Sequence, residues 1–261
     1  MAYVMWTRRP ENHYIAEITL QRREVLNAFN TQMAKEFSEV CEDIVSQGDI
    51  RVVGLRSSDP RAFCTGADLK ERNAMTEEEW HEQHGLIEKM FHSLADLPMP
   101  TIAVIDGYCL AGGMELVLNC DMWVISDRAV FGLPEVTRGI MPGGGGSRLL
   151  TRRVGVHHAK EIILTGGKFS ATQVTEMGLT NRLVHPDQLD DAFLELAMPI
   201  SQNAPLAVSY CKSSMDELIG YPDRIARERE ISWYNKCVDT DDRREGIRAF
   251  NEKRLPKFTG K

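Results

Sequence analysis

The middle of this 261-residue chain holds a short apolar run that meets a glycine pair and then a carboxylate. Residues Thr101–Ile105 are apolar, partly β-branched and bounded by turn formers, a pattern that predicts a buried strand. Gly112 and Gly113 let the backbone approach a ligand closely, and Met114–Leu118 favours a helix. We therefore expect free helix N–H groups beside the glycines and close to the Glu115 carboxylate. The glycines also suit tight packing of the helix on the strand.

Composition indicates a globular protein with one large domain or two small ones. Hydrophobic residues make up 43% of the chain, and the net charge of −7 argues against a general nucleic-acid surface. The six cysteines form no CxxC pair, which predicts free thiols in a reducing compartment. The N-terminus lacks the apolar core of a signal peptide, and no stretch has the length of a membrane span. We expect a cytoplasmic protein with no nucleic-acid or membrane partner.

Alternation of strand and helix patterns over the first 200 residues predicts an α/β fold, followed by a region of helices only. A polar loop over 57–70 turns into helix near Leu69, and Thr76 with Glu79 forms the cap of a later helix. The predicted strands cover 15–20, 50–55, 101–105, 121–126 and 179–184. The predicted helices cover 33–45, 76–97, 114–118, 158–164, 171–177, 189–201, 205–219, 223–237 and 239–254.

Two motifs resemble ligand sites without meeting their requirements. His81 and His84 are three residues apart, whereas two histidines that share zinc from one helical face in an HExxH motif are four apart. We expect a solvated helix face there and no metal. Four glycines, 143–146, lack the Gly-Lys-Ser/Thr of a nucleotide loop. We expect a tight turn that leads into a helix from Ser147 and holds Glu135 in place.

Two backbone donor loops, at Ala67 and Gly112, and two carboxylates, Glu115 and Glu135, require a common explanation. Amide donors aimed at a carbonyl oxygen stabilise the charge that develops on it. Paired carboxylates can move protons. Together they suit chemistry next to a thioester carbonyl, in which one glutamate handles water and the other handles a carbon-bound proton.

Four segments of the sequence resemble the enoyl-CoA hydratase/isomerase family, the crotonases. They are AFCTGADLK (62–70), GYCLAGGMEL (107–116), FGLPEVTRGIMPGGGGSRLL (131–150) and the ending REGIRAFNEKR. The resemblance runs nearly end to end. It implies a spiral of ββα turns that makes two roughly perpendicular sheets, followed by C-terminal helices. We therefore divide the chain into a core of residues 1–200 and a helical region, 201–261, for subunit contact in a homo-trimer or a dimer of trimers.

The same resemblance implies the roles of individual residues. The N–H groups of Ala67 and Gly112 would form an oxyanion hole, while Glu115 acts as base on water and Glu135 donates a proton to the α-carbon. Coenzyme A would enter as part of an acyl-CoA substrate, and no separate cofactor is expected. The residues expected to bind it are Val25, Leu26, Ala62, Cys64, Gly66, Ala67, Asp68, Leu69, Lys70, Phe250 and Lys253.

Two positions depart from the family pattern. Glu24 stands where a basic residue often precedes the first loop, so either Arg22 or Arg23 takes over the phosphate contact or the contact is lost. Ala111 stands where a third glycine is frequent and adds a methyl group beside the oxyanion hole.

The glutamate pair favours an enoyl-CoA hydratase. The alternatives are a Δ3,Δ2-enoyl-CoA isomerase, a hydratase or dehydratase of a specialised acyl-CoA, and a non-catalytic or RNA-binding member of the family. Candidates for the acyl pocket lie on the 80–97 helix, at Ile140 and Met141, and around Trp233 and Tyr234.

Overall fold

Two β-sheets and the helices packed around them form the architecture of residues 2–261, the part of the chain that this computed structural model describes. The strands are β1 (Val4–Arg9), β2 (Asn12–Leu20), β3 (Val52–Ser57), β4 (Ala62–Cys64), β5 (Thr101–Ile105), β6 (Tyr108–Leu110), β7 (Met122–Ser126), β8 (Val130–Gly132), β9 (Phe169–Ser170) and β10 (Arg182–Val184). The helices are α1 (Thr31–Gln47), α2 (Leu69–Asn73), α3 (Glu77–Ala95), α4 (Gly112–Leu118), α5 (Gly146–Thr165), α6 (Ala171–Glu176), α7 (Leu189–Gln202), α8 (Pro205–Leu218), α9 (Asp223–Val238) and α10 (Asp241–Asn251).

The larger sheet has six strands in the order β1-β2-β3-β5-β7-β10. Only β1 and β2 pair antiparallel, and the remaining neighbours run parallel. All five residues of β5 are buried, as expected for a parallel strand covered on both faces. On one face, Phe193 of α7 packs against Ile15 and Ile102.

The smaller sheet has the order β4-β6-β8-β9, with β4, β6 and β8 parallel. Each of these three short strands follows a strand of the larger sheet and precedes a helix or 3₁₀ turn. The chain therefore repeats a strand–strand–helix unit, β3-β4-α2, then β5-β6-α4, then β7-β8 with the 3₁₀ turn Pro134–Arg138. This repetition confirms the predicted spiral, and it brings the segments after β4, β6 and β8 to one edge of the small sheet.

The C-terminal helices are attached more loosely. Lys212 of α8 joins the core through a 2.9 Å ion pair with Asp121 and a hydrogen bond to the Met99 carbonyl. No residue of α9 is buried. Phe250 on α10 is 84% exposed, so this region presents uncovered apolar surface. The division at residue 200 stays a prediction.

Most sequence-based elements are confirmed, with ends shifted by a few residues. The side chain and main chain of Thr76 and Glu79 form the expected capping box at the start of α3. The prediction lacked β1, β4, β6 and β9, whereas the extended segment expected over 129–135 contains β8. The helix expected over 158–164 is part of α5, which is interrupted at Gly155, where φ is +75°.

Candidate active site

A cavity of about 840 Å³ opens beside the small sheet, between the loops that follow β4, β6 and β8. Four residues singled out from the sequence, Ala67, Gly112, Glu115 and Glu135, line this one cavity although up to 68 residues separate them. The parallel register of β4, β6 and β8 explains why they meet, because the ends of parallel strands lie at one edge.

The two predicted oxyanion donors are open to a ligand. Among residues 2–261, neither the Ala67 nor the Gly112 amide donates to a main-chain acceptor. The neighbouring amides are engaged, since Asp68 donates to the Phe29 carbonyl at 2.9 Å and Ala111 donates to the Gly132 carbonyl at 2.8 Å. An N–H pair left free on a cavity wall is the arrangement that stabilises a developing oxyanion.

Close backbone packing brings these two donors together. A Cβ atom on Gly66 would lie 3.0 Å from the Gly112 nitrogen, and one on Gly113 would lie 2.2 Å from the Cys64 carbonyl oxygen. Ala111, which directly precedes Gly112, has φ of +51° and ψ of −131°, a backbone conformation that disfavours any side chain. The departure from glycine at Ala111 therefore stores strain next to the donor pair.

Glu115 lies in the first turn of α4, and only 4% of its surface is exposed. Its Oε1 atom accepts hydrogen bonds from the amides of Gly144 at 2.7 Å and Gly146 at 2.9 Å. Burial raises the pKa of Glu115, and hydrogen bonds from the glycine loop, including the Gly143 amide, oppose that rise. The loop thus favours the ionised carboxylate.

Glu135 follows β8 in a 3₁₀ turn and is 7% exposed. Its Oε2 atom is buried and has no hydrogen-bond partner among residues 2–261. Burial, with a smaller contribution from the Glu115 charge, raises the pKa of Glu135 to about 7, and Arg138 opposes the rise. A pKa of about 7 lets Glu135 exchange a proton near neutral pH, while the amide hydrogen bonds to Glu115 favour its ionised form.

The glycine loop corrects one prediction from the sequence. Its amides hold the carboxylate of Glu115 and not that of Glu135. The main-chain carbonyl of Glu135 instead accepts from the amides of Gly139 and Ile140, which precede the glycine loop. Asn119 completes the connection, because its Nδ2 donates to the carbonyls of both Glu115 and Gly144. The physical reason is that α4 and α5 begin side by side, so the loop before α5 covers the first turn of α4.

The predicted coenzyme A residues fall into three groups. Val25 and Leu26 lie in a loop that runs beside 64–68, where Thr65 Oγ1 donates to the Leu26 carbonyl at 3.4 Å. Gly66 is buried between the two loops. Ala62 and Cys64 in β4 are fully buried, and Cys64 Sγ donates to the Asn27 carbonyl at 3.0 Å. Ala62 and Cys64 therefore belong to the buried strand that precedes the 65–68 loop, and they do not face the cavity.

Asp68 and its neighbours on α2 form the second group. Asp68 caps α2 through the amides of Lys70 and Glu71, and it accepts a 2.7 Å hydrogen bond from Arg22. Arg22 is therefore already paired, which leaves Arg23 as the exposed cation of the first loop. Leu69 lines the cavity, while Lys70 is exposed and does not.

Phe250, in the last turn of α10, and Lys253, two residues past its end, form the third group. Both are exposed, and neither lines the cavity. The structure thus brings the four catalytic candidates together with Leu69, and it leaves these two C-terminal residues outside the site.

The acyl-pocket candidates divide in the same way. Trp80, Ile87, Phe91, Ile140 and Met141 line the cavity. Trp233 instead donates to Glu217 Oε2 at 2.6 Å between α9 and α8, outside the cavity. Sequence reasoning missed two charged residues of the wall, Arg72 and Arg138. Neither was assigned to the site by a motif.

Other kinds of site have no support in residues 2–261. This part of the chain contains no group of three side chains arranged to bind a metal ion. His84 stacks on Trp80 with ring centroids 5.0 Å apart and pairs with Glu88 at 3.2 Å. None of the described helices is both long enough and apolar enough to cross a membrane.

Two open amides and two buried carboxyl groups line this one cavity. Such a site can stabilise an oxyanion and move protons beside it. The chain belongs to the enoyl-CoA hydratase/isomerase family, whose sequence pattern it matches over residues 10–261. This confirms the resemblance seen in the sequence motifs.

Individual relatives agree with the family assignment. The chain is 40% identical to a protein named probable enoyl-CoA hydratase 2, mitochondrial, from Arabidopsis thaliana, over 94% of this chain and 82% of the relative. It is 38% identical to the putative enoyl-CoA hydratase/isomerase YngF of Bacillus subtilis, over 96% of each. The crystal structure of an enoyl-CoA hydratase from Bacillus anthracis superposes with a TM-score of 0.94 at 35% identity, covering 99% of this chain and 100% of the other.

Proposed function

We propose that this protein is an enoyl-CoA hydratase, which adds water reversibly and in the syn sense across the double bond of a 2-enoyl-CoA. The observation that carries the proposal is the pair of buried glutamates, Glu115 and Glu135, that line one cavity with the Ala67 and Gly112 amides. The substrate is the acyl-CoA thioester, and the chemistry needs no separate cofactor.

The thioester carbonyl oxygen accepts hydrogen bonds from the Ala67 and Gly112 amides. Addition of an oxygen nucleophile to the β-carbon pushes electrons through the conjugated system onto that oxygen, which becomes an enolate. Each such donor is worth on the order of 10²–10³ in rate. Both amides are free for this role because no main-chain acceptor within residues 2–261 competes for them.

Glu115 takes a proton from water as the water oxygen bonds to the β-carbon. Glu135 gives a proton to the α-carbon, the enolate collapses, and the carbonyl re-forms. The two transfers add one water in total and leave Glu115 protonated and Glu135 ionised. Exchange with solvent restores the starting state.

The surroundings of the two carboxyl groups support this assignment of roles. Glu135, with a pKa of about 7, carries a proton in a large share of the molecules at neutral pH. Glu115 accepts amide hydrogen bonds that favour its ionised form. An acid with a pKa near the working pH is matched to its task.

We propose that coenzyme A lies along the loop of Val25 and Leu26, with Arg23 supplying the phosphate contact that Glu24 cannot make. Lys70 is also exposed, at the start of α2, and would add a second cation. Electrostatic attraction of the phosphates follows from these charges.

We further propose that the protein assembles as a homo-trimer or hexamer through residues 201–261. The apolar side chains of Met215, Ile231, Tyr234 and Phe250 are each more than half exposed, and a second copy would cover them. Phe250 and Lys253 would then close over coenzyme A.

A cytoplasmic location stays a proposal from the free cysteines.

Isomerisation of a 3-enoyl-CoA is the second candidate. It is favoured by the unpartnered Oε2 of Glu135, since one carboxyl group can carry a proton between two carbons of an enolate. Incubation with crotonyl-CoA and with 3-hexenoyl-CoA, followed by mass spectrometry, separates the two. A product heavier by one water from crotonyl-CoA supports hydration. Conversion of 3-hexenoyl-CoA to 2-hexenoyl-CoA without hydration of either thioester would instead establish an isomerase.

A further inference from the structure

Arg72 is a charged residue on the cavity wall that the proposed reaction does not use. It lies in the last turn of α2, half-buried, beside the apolar wall of Trp80 and Ile87. Its guanidinium carbon is 5.8 Å from the centroid of the Trp80 ring. The side chain therefore faces the space that an acyl chain would fill.

A buried glutamine fixes the position of this guanidinium. Arg72 Nε donates to Gln83 Oε1 at 3.1 Å, and Gln83 is only 2% exposed. Gln83 Nε2 in turn donates to Glu71 Oε2 at 2.6 Å and to Thr31 Oγ1 at 2.8 Å. Arg72 is thus held by one nitrogen, Nε, and among residues 2–261 no acceptor receives a hydrogen bond from its two terminal nitrogens.

No carboxylate neutralises Arg72. Within residues 2–261, no acidic oxygen comes within 4.0 Å of it. The neighbouring carboxylate of Glu71 is engaged by the Thr31 amide and Gln83, and the other acid on this wall, Glu88, pairs with His84. Burial lowers the pKa of Arg72, opposed by the charge of Glu71. An unpaired, partly desolvated guanidinium is costly unless an anion binds it.

The position on α2 separates Arg72 from the predicted coenzyme A contacts. Residues two apart on a helix point to different sides. Lys70 is exposed and lies outside the cavity, whereas Arg72 lines it. Arg72 also lies beside Trp80, on the helix expected to line the acyl pocket, so we assign an anion bound at Arg72 to the acyl group and not to the coenzyme A phosphates.

We propose that Arg72 binds a carboxylate at the far end of the acyl chain, so that the preferred substrate is a 2-enoyl-CoA whose acyl group ends in a carboxylate. The planar fork of arginine fits a carboxylate through two parallel hydrogen bonds. This inference rests on the acyl-CoA chemistry proposed above, and it assigns Arg72 a role in specificity and not in the chemical step.

Calorimetric binding to the full-length protein tests the proposal without any turnover. The probes are glutaryl-CoA and pentanoyl-CoA, two saturated five-carbon thioesters that differ in the terminal carboxylate and cannot add water. The wild type should bind glutaryl-CoA at least about tenfold more tightly, as expected for a charge-assisted hydrogen bond. Arg72→Gln should abolish that preference and leave the affinity for pentanoyl-CoA unchanged, and Arg72→Lys should retain part of it.

Two control variants assign the effect to one residue. Lys70→Gln should weaken the binding of both thioesters by the same factor. Arg138→Gln should keep the preference for glutaryl-CoA over pentanoyl-CoA. Equal binding of the two probes by the wild type would overturn the proposal, as would equal weakening of both by Arg72→Gln or loss of the preference in Arg138→Gln. Failure of crotonyl-CoA hydration would refute the proposed function alone, because the binding comparison does not depend on it.

Discussion

The main-chain amide of Gly144 donates a 2.7 Å hydrogen bond to Oε1 of Glu115, across 29 residues of chain. The contact ties the loop before α5 to the first turn of α4. It therefore fixes the carboxylate that we assign as base, and it depends on glycine because a Cβ at position 144 would lie 2.3 Å from the Phe91 ring.

Substitution Gly144→Ala should displace this loop from Glu115. We expect kcat with crotonyl-CoA to fall about tenfold or more, since the carboxylate loses an oriented donor. Gly143→Ala is the matched control, because its new methyl group would find only His84, at 3.9 Å. Steady-state kinetics of both variants measure the effect, and equal loss in the two would contradict the assigned contact.

Replacement of Ala111 by glycine should stabilise the protein. The residue has φ of +51° and ψ of −131°, and relief of such strain is worth on the order of 1–3 kcal/mol. The greater freedom of glycine in the unfolded chain offsets about 0.4–1 kcal/mol of this gain. We expect a net increase of about 1 kcal/mol in the free energy of unfolding, measured by urea denaturation. A decrease would show that the alanine methyl group contributes packing instead.

The Glu135→Gln variant should be more stable than the wild type above neutral pH. Burial raises the pKa of Glu135 from 4.5 to about 7, so the folded protein keeps a proton that the unfolded chain has lost. Stability from this group is full below about pH 4.5 and is lost as the pH rises through about 7. The stabilisation that Glu135→Gln gives, as a difference in the free energy of unfolding from the wild type, should therefore be roughly 2 kcal/mol larger at pH 8 than at pH 5. A gain independent of pH would argue against a neutral Glu135.

Arg23 should contribute to affinity for coenzyme A. It is exposed in the first loop and is held only by a 3.0 Å hydrogen bond from its Nε to Ser58 Oγ. Arg23→Gln should raise KM a few-fold at low salt, with kcat unchanged and a smaller effect at high salt. Arg22→Gln provides the contrast, because it leaves Asp68 unpaired and should lower the melting temperature. An unchanged KM for Arg23→Gln at low salt would remove this contact from the account.

The sequence predicted elements whose signal is local. Thr101–Ile105 forms β5, as its apolar run between turn formers indicated. The capping box of Thr76 with Glu79 likewise needs only four neighbouring residues. By contrast, β4, β6 and β8 have three residues each and too short a pattern to show a period. They are strands only because they pair with one another across the sequence.

The site shows the same distinction. The four catalytic candidates were named from motifs, and they line one cavity. The partner of the glycine loop was wrong, since the choice between Glu115 and Glu135 depends on how α4 and α5 begin in space. Arg72 carried no motif. Its importance arises from its place on the cavity wall and from the lack of an ion-pair partner among the described residues, 2–261, and both are seen only in the folded structure.

The rate of loss of the ultraviolet absorbance of crotonyl-CoA tests the central claim most directly, with the wild type compared with Glu115→Gln and Glu135→Gln. The account predicts rapid loss by the wild type and a fall of at least about a hundredfold in each variant, since each removes one of two required proton transfers. Full activity in either variant, or no hydration by a wild type that still binds coenzyme A thioesters, would contradict it.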